Sequence, residues 1–173
     1  IFGHGKEYEN VVGITLGTGF GCGLAINKKL YHGRSNATEF GHATIDYKGV
    51  KSKSGNNGSI EEYVAARGIT KLFDGKTKPK EIYNLALKGN KKAMKAYKKM
   101  GHYIGIALTN ISYALDPDVI IIGGKISNAW PFFHKTMESE IKKRYFAKPP
   151  KVVKSKLKDA GILGAVALIV QNK

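Results

Sequence analysis

The chain has 173 residues, 29 of them basic and 13 acidic, for a formal net charge of +16, and 42% are hydrophobic. That is about one domain of chain with enough apolar content for a core, which excludes wholesale disorder. A single cysteine excludes a disulfide scaffold or a multi-cysteine metal cluster, and no apolar run approaches the ~18–20 residues of a membrane span.

No signal peptide opens the chain, so the cytoplasm is the expected compartment and no membrane partner is expected; a start at Ile1 rather than Met reads as a fragment or a trimmed product. Residues 11–31 read as paired strands: VVGITL, a Gly-rich turn, GCGLAI, a turn at Asn27-Lys28-Lys29, then LYHG. A polar loop follows from Lys48 to Gly58. Ser59 is placed to cap a helix through IEEYVAARG, its hydroxyl satisfying a free N–H, with Glu61 and Glu62 suiting the helix dipole. After a loop at 74–80 and a short segment Ile82–Leu87, a long helix is predicted over about 90–115. Its buried stripe is Ala93, Tyr97, Met100, Ile104, Ala107, Leu108, Ile111 and Leu115, and Asp116-Pro117 ends it. VIII (119–122) reads as a buried central strand, Gly123-Gly124 as a turn into a helix over about Ala129–Arg144, VVKS as a short strand and GILGAVALIV as a closing helix. Strands alternating with helices make this an α/β domain.

Lysines concentrate at 91–99, 142–144 and 148–158. In the first cluster they interleave with Ala93, Met94, Ala96, Tyr97 and Met100, the pattern of an amphipathic helix with a solvated basic face. No helix-turn-helix or aromatic-rich RNA-binding signature accompanies them, so nucleic acid is not expected as a partner. A basic surface also steers anionic nucleotides and sugar phosphates.

Three motifs bear on chemistry. LGTGFGCG (16–23) sets four glycines at alternate positions directly after a strand. They leave no Cβ to block a ligand and permit unusual backbone angles, successive N–H groups could cradle phosphate oxygens, and Thr18 adds a hydroxyl. The plain alternative is a tight hairpin, since neither a Rossmann helix nor a P-loop Gly-Lys-Ser/Thr follows. Gly123-Gly124, at the carboxyl end of the buried strand, lets a flat adenine or ribose approach, or is a simple turn. Glu39 and His42, in NATEFGH, can fix neighbouring sugar hydroxyls, one accepting and one donating, or form an isolated surface pair.

Together with the loop at 52–61 (SKSGNNGSIE), these motifs resemble the ROK family of sugar kinases and transcriptional repressors, whose pattern reads LGTGIGGG, GEIGH and CxCGxxGCLE. LDPDVIIIGGKIS resembles the family's LDPEVIVIGG, and GILGAVALI its terminal helix, so the likeness runs the length of the chain. It implies an actin-like ATPase (ribonuclease H-like) fold, residues 1–173 forming the larger carboxy-terminal lobe. Carried over by motif, Gly17, Thr18, Gly19 and Gly21 hold nucleotide phosphates, Gly123 and Gly124 approach the adenosine, and Glu39, His42 and Glu61 bind sugar hydroxyls. The implied partners are a hexose and ATP with Mg²⁺, and a homodimer is expected.

The sequence departs from the family chiefly in two places. The family's histidine and three cysteines hold a structural zinc, but beside His42 this chain has Ser52, Ser54 and Ser59. Hydroxyls are poor zinc ligands, so no zinc is expected, and the loop should be more mobile and His42 less firmly oriented. Cys22, where the family usually has glycine, reads as a packing residue. Second, the family's catalytic aspartate, in an Asn-Asp-Ala-Asn-like motif, and its first phosphate loop, Asp-x-Gly-x-Thr, have no counterpart. No catalytic residue is therefore assigned in this chain, which on its own should not turn over. The resemblance points to glucose phosphorylation, with fructose, mannose or N-acetylmannosamine as other substrates and a sugar-sensing regulator as the alternative class.

Overall fold

The computed structural model describes residues 3–157, so the expected closing helix GILGAVALIV lies outside the described residues. Strands β1 (Val11–Leu16) and β2 (Phe20–Ile26) form a hairpin, and β3 (Lys29–Leu30) extends it through a turn in which Asn27 and Lys28 take φ of 51° and 64°. Left-handed angles at both central residues match the twist of a two-residue hairpin. β3 is shorter than expected: ladder pairing stops at Leu30, Tyr31 keeps one bond from its N–H to the Leu24 carbonyl at 2.8 Å, and the chain then leaves the sheet.

β4 (Val119–Gly123) and β5 (Lys151–Lys154) complete a five-stranded sheet of order β3-β2-β1-β4-β5, antiparallel among the first three and parallel from β1 to β5. Alternation in β1 buries Val12, Ile14 and Leu16 and turns Gly13 and Thr15 outward. In β4 Val119, Ile120 and Ile122 are all buried, as its continuous apolar run requires of a central strand.

The helices are α1 (Glu61–Val64), α2 (Ala66–Phe73), α3 (Pro79–Leu87), α4 (Lys91–Leu115) and α5 (Trp130–Arg144). Asn90 caps α4 by accepting from the Ala93 N–H at 3.0 Å, and Asp116 stops it in a left-handed turn with φ 40°. The expected stripe of α4 is buried except for Leu115, which is only partly covered, and Lys91, Lys92, Lys95, Lys98 and Lys99 form its solvated face. Against α5 the helix presents Gly105, where a Cβ would lie 2.5 Å from that of Glu140. Glu140, on α5, is held there by His102, Lys143 and Arg144, each at 3.2 Å.

Two expectations fail around residue 60. Ser59 does not cap a helix: its side chain makes no cap bond, it is buried, and α1 starts two residues later behind Ile60. Nor is IEEYVAARG one helix. Ala65 is extended (φ −88°, ψ −176°), and the N–H of Ala66 donates to the Gly17 carbonyl at 2.9 Å instead of continuing α1. Glu62 is buried and paired to Arg67 at 3.0 Å and Lys71 at 2.6 Å, an arrangement that closes the break by bridging α1 and α2.

Candidate functional site

The break at Ala65 brings four segments to one end of the sheet, the carboxyl ends of the parallel strands β1 and β4. That end of an open α/β sheet is where ligands gather. The turn Leu16–Phe20 is fastened there by three contacts. Ala66 bonds the Gly17 carbonyl; the Glu61 carboxylate accepts from the Phe20 N–H at 3.0 Å; and Gly124 packs on the Leu16 backbone. Gly124 has φ 85°, and a Cβ there would overlap the Leu16 carbonyl, so only glycine fits. Among the described residues, the N–H groups of Thr18 and Gly19 have no acceptor, and Thr18 is exposed. Two free donors on adjacent residues of a fixed turn are what an anion site uses.

The glycines of this turn do not serve unusual backbone angles, contrary to expectation: none of Gly17, Gly19, Gly21 and Gly23 has a positive φ. Clearance from a neighbouring side chain explains only Gly19. A Cβ on Gly19 would lie 2.6 Å from Glu61 Oε2, whereas Gly17 has open space around it. Gly21 is not in the turn but within β2, opposite Thr15 and exposed. Gly123 ends β4, also opposite Thr15 but on the other side of β1.

Glu39 precedes and His42 ends a single turn, Phe40–His42, that rests on the start of β2, where a Cβ on Gly41 would meet the Phe20 carbonyl at 2.7 Å. Thr38, just before it, is held at φ 64°, which a β-branched residue seldom adopts, and its hydroxyl donates to the Cys22 carbonyl at 2.7 Å. Strain of this kind is a mark of positions the surrounding structure over-determines. His42 Nε2 lies 3.8 Å from Glu39 Oε2, with both side chains more than half exposed. The structure thus brings Glu39 and His42 together, and ties Glu61 to the glycine turn.

Cys22 packs against the core, and burial followed by the charge of Glu39 pushes its thiol up to about 12. A thiol held protonated is no nucleophile. A surface hollow of about 380 Å³ lined by His4, Lys6, Tyr8, Val119, Lys151 and Lys156 contains none of these residues; the open turn, with its free donors beside the Glu61 carboxylate, is the better candidate.

The residues at the zinc positions do not fit zinc. Ser52 and Ser54 contact each other at 2.7 Å, and both hydroxyls donate to Asn56 Oδ1, at 2.5 and 2.8 Å. Ser59 is buried, and its backbone forms a bridge with Thr44. Neutral hydroxyls already engaged in hydrogen bonds are not the thiolate, imidazole or carboxylate donors that zinc takes. The polar loop has internal pairing of its own: Lys51 pairs with Asn57, and Ser52 N–H donates to the Asn56 carbonyl at 2.8 Å.

Comparison with known proteins accords with this arrangement. The ROK family model matches residues 1–172. The chain is 34% identical to the xylose repressor of Bacillus subtilis over 85% of its own length, and 32% identical to the N-acetyl-D-glucosamine kinase of Vibrio cholerae over 96%. It spans 39% of that repressor and 61% of that kinase. In structure it matches a ROK family glucokinase from Streptomyces griseus, crystallised with glucose and AMPPNP, with a TM-score of 0.83 and 26% identity over 95% of this chain and 62% of that one.

Proposed function

This chain belongs to the ROK family, and from that premise we propose that its parent protein phosphorylates a hexose with ATP, glucose being the leading substrate. Its fold is that of the ROK sugar kinases, the actin-like ATPase fold, and its relatives include both sugar kinases and repressors. In this reading residues 1–173 form the larger carboxy-terminal lobe, in a cytoplasmic homodimer. The observation that carries it is the fixed turn with two free N–H donors beside the Glu61 carboxylate.

The roles follow from chemistry. The Thr18 and Gly19 N–H groups and the Thr18 hydroxyl would take phosphate oxygens, with Gly17 and Gly21 leaving room. Gly123 and Gly124 would let the adenosine close on the backbone. Glu39 and Glu61 would accept from sugar hydroxyls and His42 would donate or accept, orienting the acceptor oxygen. In the reaction that oxygen bonds the γ-phosphorus as the bond to the β-phosphate bridge breaks, ADP leaves, and the hydroxyl proton passes to a base. No residue of this chain is assigned as that base, so the 173 residues alone should be inactive. Mg²⁺ is expected to arrive with the nucleotide; among the described residues there is no cluster of three or more His, Cys, Asp and Glu side chains that could hold a metal.

Similarity to the xylose repressor favours a second reading, a sugar-sensing regulator that binds without phosphorylating. The test is ADP production by the intact parent protein with ATP, Mg²⁺ and glucose, N-acetylglucosamine, N-acetylmannosamine, fructose, mannose or xylose. Turnover with one sugar supports the kinase and names its substrate. Sugar binding by a folded protein without turnover overturns it in favour of the regulator.

A further inference from the structure

Asn56 ties the loop between Thr44 and Ser59 to its base, alongside the Thr44 hydroxyl, which donates to the Asn57 carbonyl at 2.9 Å. Asn56 Nδ2 donates to the His42 carbonyl at 2.5 Å and to Thr44 Oγ1 at 3.2 Å, while its Oδ1 accepts from the Ser52 and Ser54 hydroxyls. The amide orientation is forced, because a backbone carbonyl only accepts and must therefore face the NH₂. Asn56 thus uses both ends of its amide, one gripping the loop and the other the backbone of His42. Nearby bonds reinforce the closure: Ile45 N–H donates to Gly58 at 2.8 Å, and Ile60 N–H to Ala43 at 2.9 Å. Tyr63 fixes the outer rim, its hydroxyl donating to Asp46 at 3.2 Å and accepting from the Val50 N–H at 3.3 Å.

We propose that the Ser52–Ser54–Asn56 knot holds this loop without any metal, and that Asn56 is the positioning residue that fixes His42. The chemistry requires a substitute of this kind. Where a zinc would draw His42 and three thiolates together, three serines offer only weak neutral donors. Hydrogen bonds joined in a chain polarise one another and specify a single arrangement. The two serine hydroxyls supply two protons, and Asn56 Oδ1 can take both. The knot runs against the expectation that loss of the cysteines leaves the loop loose, and the exchange measurement below decides between the two. The sugar consequence rests on the reading of His42 given above; the zinc-free closure does not.

Asn56→Asp separates the two arms. It is nearly isosteric and keeps an acceptor for both serines, but it turns a carboxylate oxygen toward the His42 carbonyl, where a donor is needed. The intact parent protein, purified from zinc-supplemented cells, is expected to retain less than about a tenth of an equivalent of zinc, and a strong chelator should leave its amide exchange unchanged. In Asn56→Asp the Ile45 and Ile60 amides should exchange about two- to tenfold faster, the range of one lost hydrogen bond, with Leu108 in α4 unaffected. KM for the sugar should rise by a similar factor and kcat move less. Zinc retained at about one equivalent, or unchanged exchange at Ile45 and Ile60, overturns the proposal. Faster exchange with unchanged KM upholds the knot and instead removes His42 from the sugar site. Should Asn56→Asp not accumulate folded, Ser54→Ala, at an exposed position, reads the same amides: faster exchange upholds the proposal, no change overturns it.

Discussion

Gly19→Ala isolates the contact between the glycine turn and Glu61. The backbone of Gly19 lies outside the left-handed region, so alanine fits its φ, and such a replacement alone stabilises by about 0.4–1 kcal/mol through the unfolded chain. The new Cβ, however, would sit 2.6 Å from Glu61 Oε2, and the carboxylate must move. It then releases the Phe20 N–H, bonded at 3.0 Å. A hydrogen bond to a charged group contributes about 1.5–3 kcal/mol. The balance is a net loss of about 1–2 kcal/mol, or about 2–8 °C in Tm for a chain of this size. In a Glu61→Ala background the obstacle is gone, and the same change should stabilise slightly. Urea unfolding of the four proteins at neutral pH gives the coupling, expected at about 1.5–3 kcal/mol, within the range of directly contacting pairs. Equal cost of Gly19→Ala in both backgrounds, or stabilisation of the natural sequence, would refute the idea that clearance for Glu61 is why residue 19 is glycine.

Gly124→Ala meets both a positive φ and the Leu16 carbonyl, and should cost at least about 2 kcal/mol in chemical denaturation and weaken binding of an ATP analogue. Glu62→Ala leaves Arg67 and Lys71 without their shared carboxylate; because both cations are partly exposed, a loss of about 2–3 kcal/mol is expected, below the full range for a buried pair, and additive behaviour with Arg67→Ala would argue against the link. Burial pushes the Glu140 carboxyl up, but hydrogen bonds from Lys143, His102 and Arg144 outweigh it and hold the group below the usual glutamate range. A lowered folded value means the stabilisation is complete above that range and lost as the pH falls below it. Acid titration of Glu140→Gln should therefore show a flatter decline in that window than the natural chain; parallel curves would discount the cluster.

The strands and the long helix were legible because they follow simple periods. β1 alternates, β4 is continuously apolar, and α4 carries its stripe every three or four residues, from Ala93 to Ile111. The glycine turn, Glu39 and His42 were legible as motifs, since their residue types are confined to a few consecutive positions. What local pattern could not supply is a contact between distant segments. Ser59 looks like a helix cap in sequence, yet it pairs with Thr44. Ala65 is a good helix former, and it is extended because Ala66 is engaged by Gly17, some fifty residues earlier. The carboxylate of Glu61 was read as a sugar ligand, with no sign that it also fastens Phe20. Asn56 passed as one polar residue of a loop; the signal available was its even spacing from Ser52 and Ser54, which lets three oxygens meet.

The anchoring of residues 16–20 has a thermodynamic corollary. A segment secured by Glu61, Ala66 and Gly124 has little slack, so if the turn holds phosphate as proposed, recognition there would be rigid docking rather than loop closure. Its calorimetric signature would be a heat-capacity change matching the area covered, without the surplus that accompanies ordering of chain.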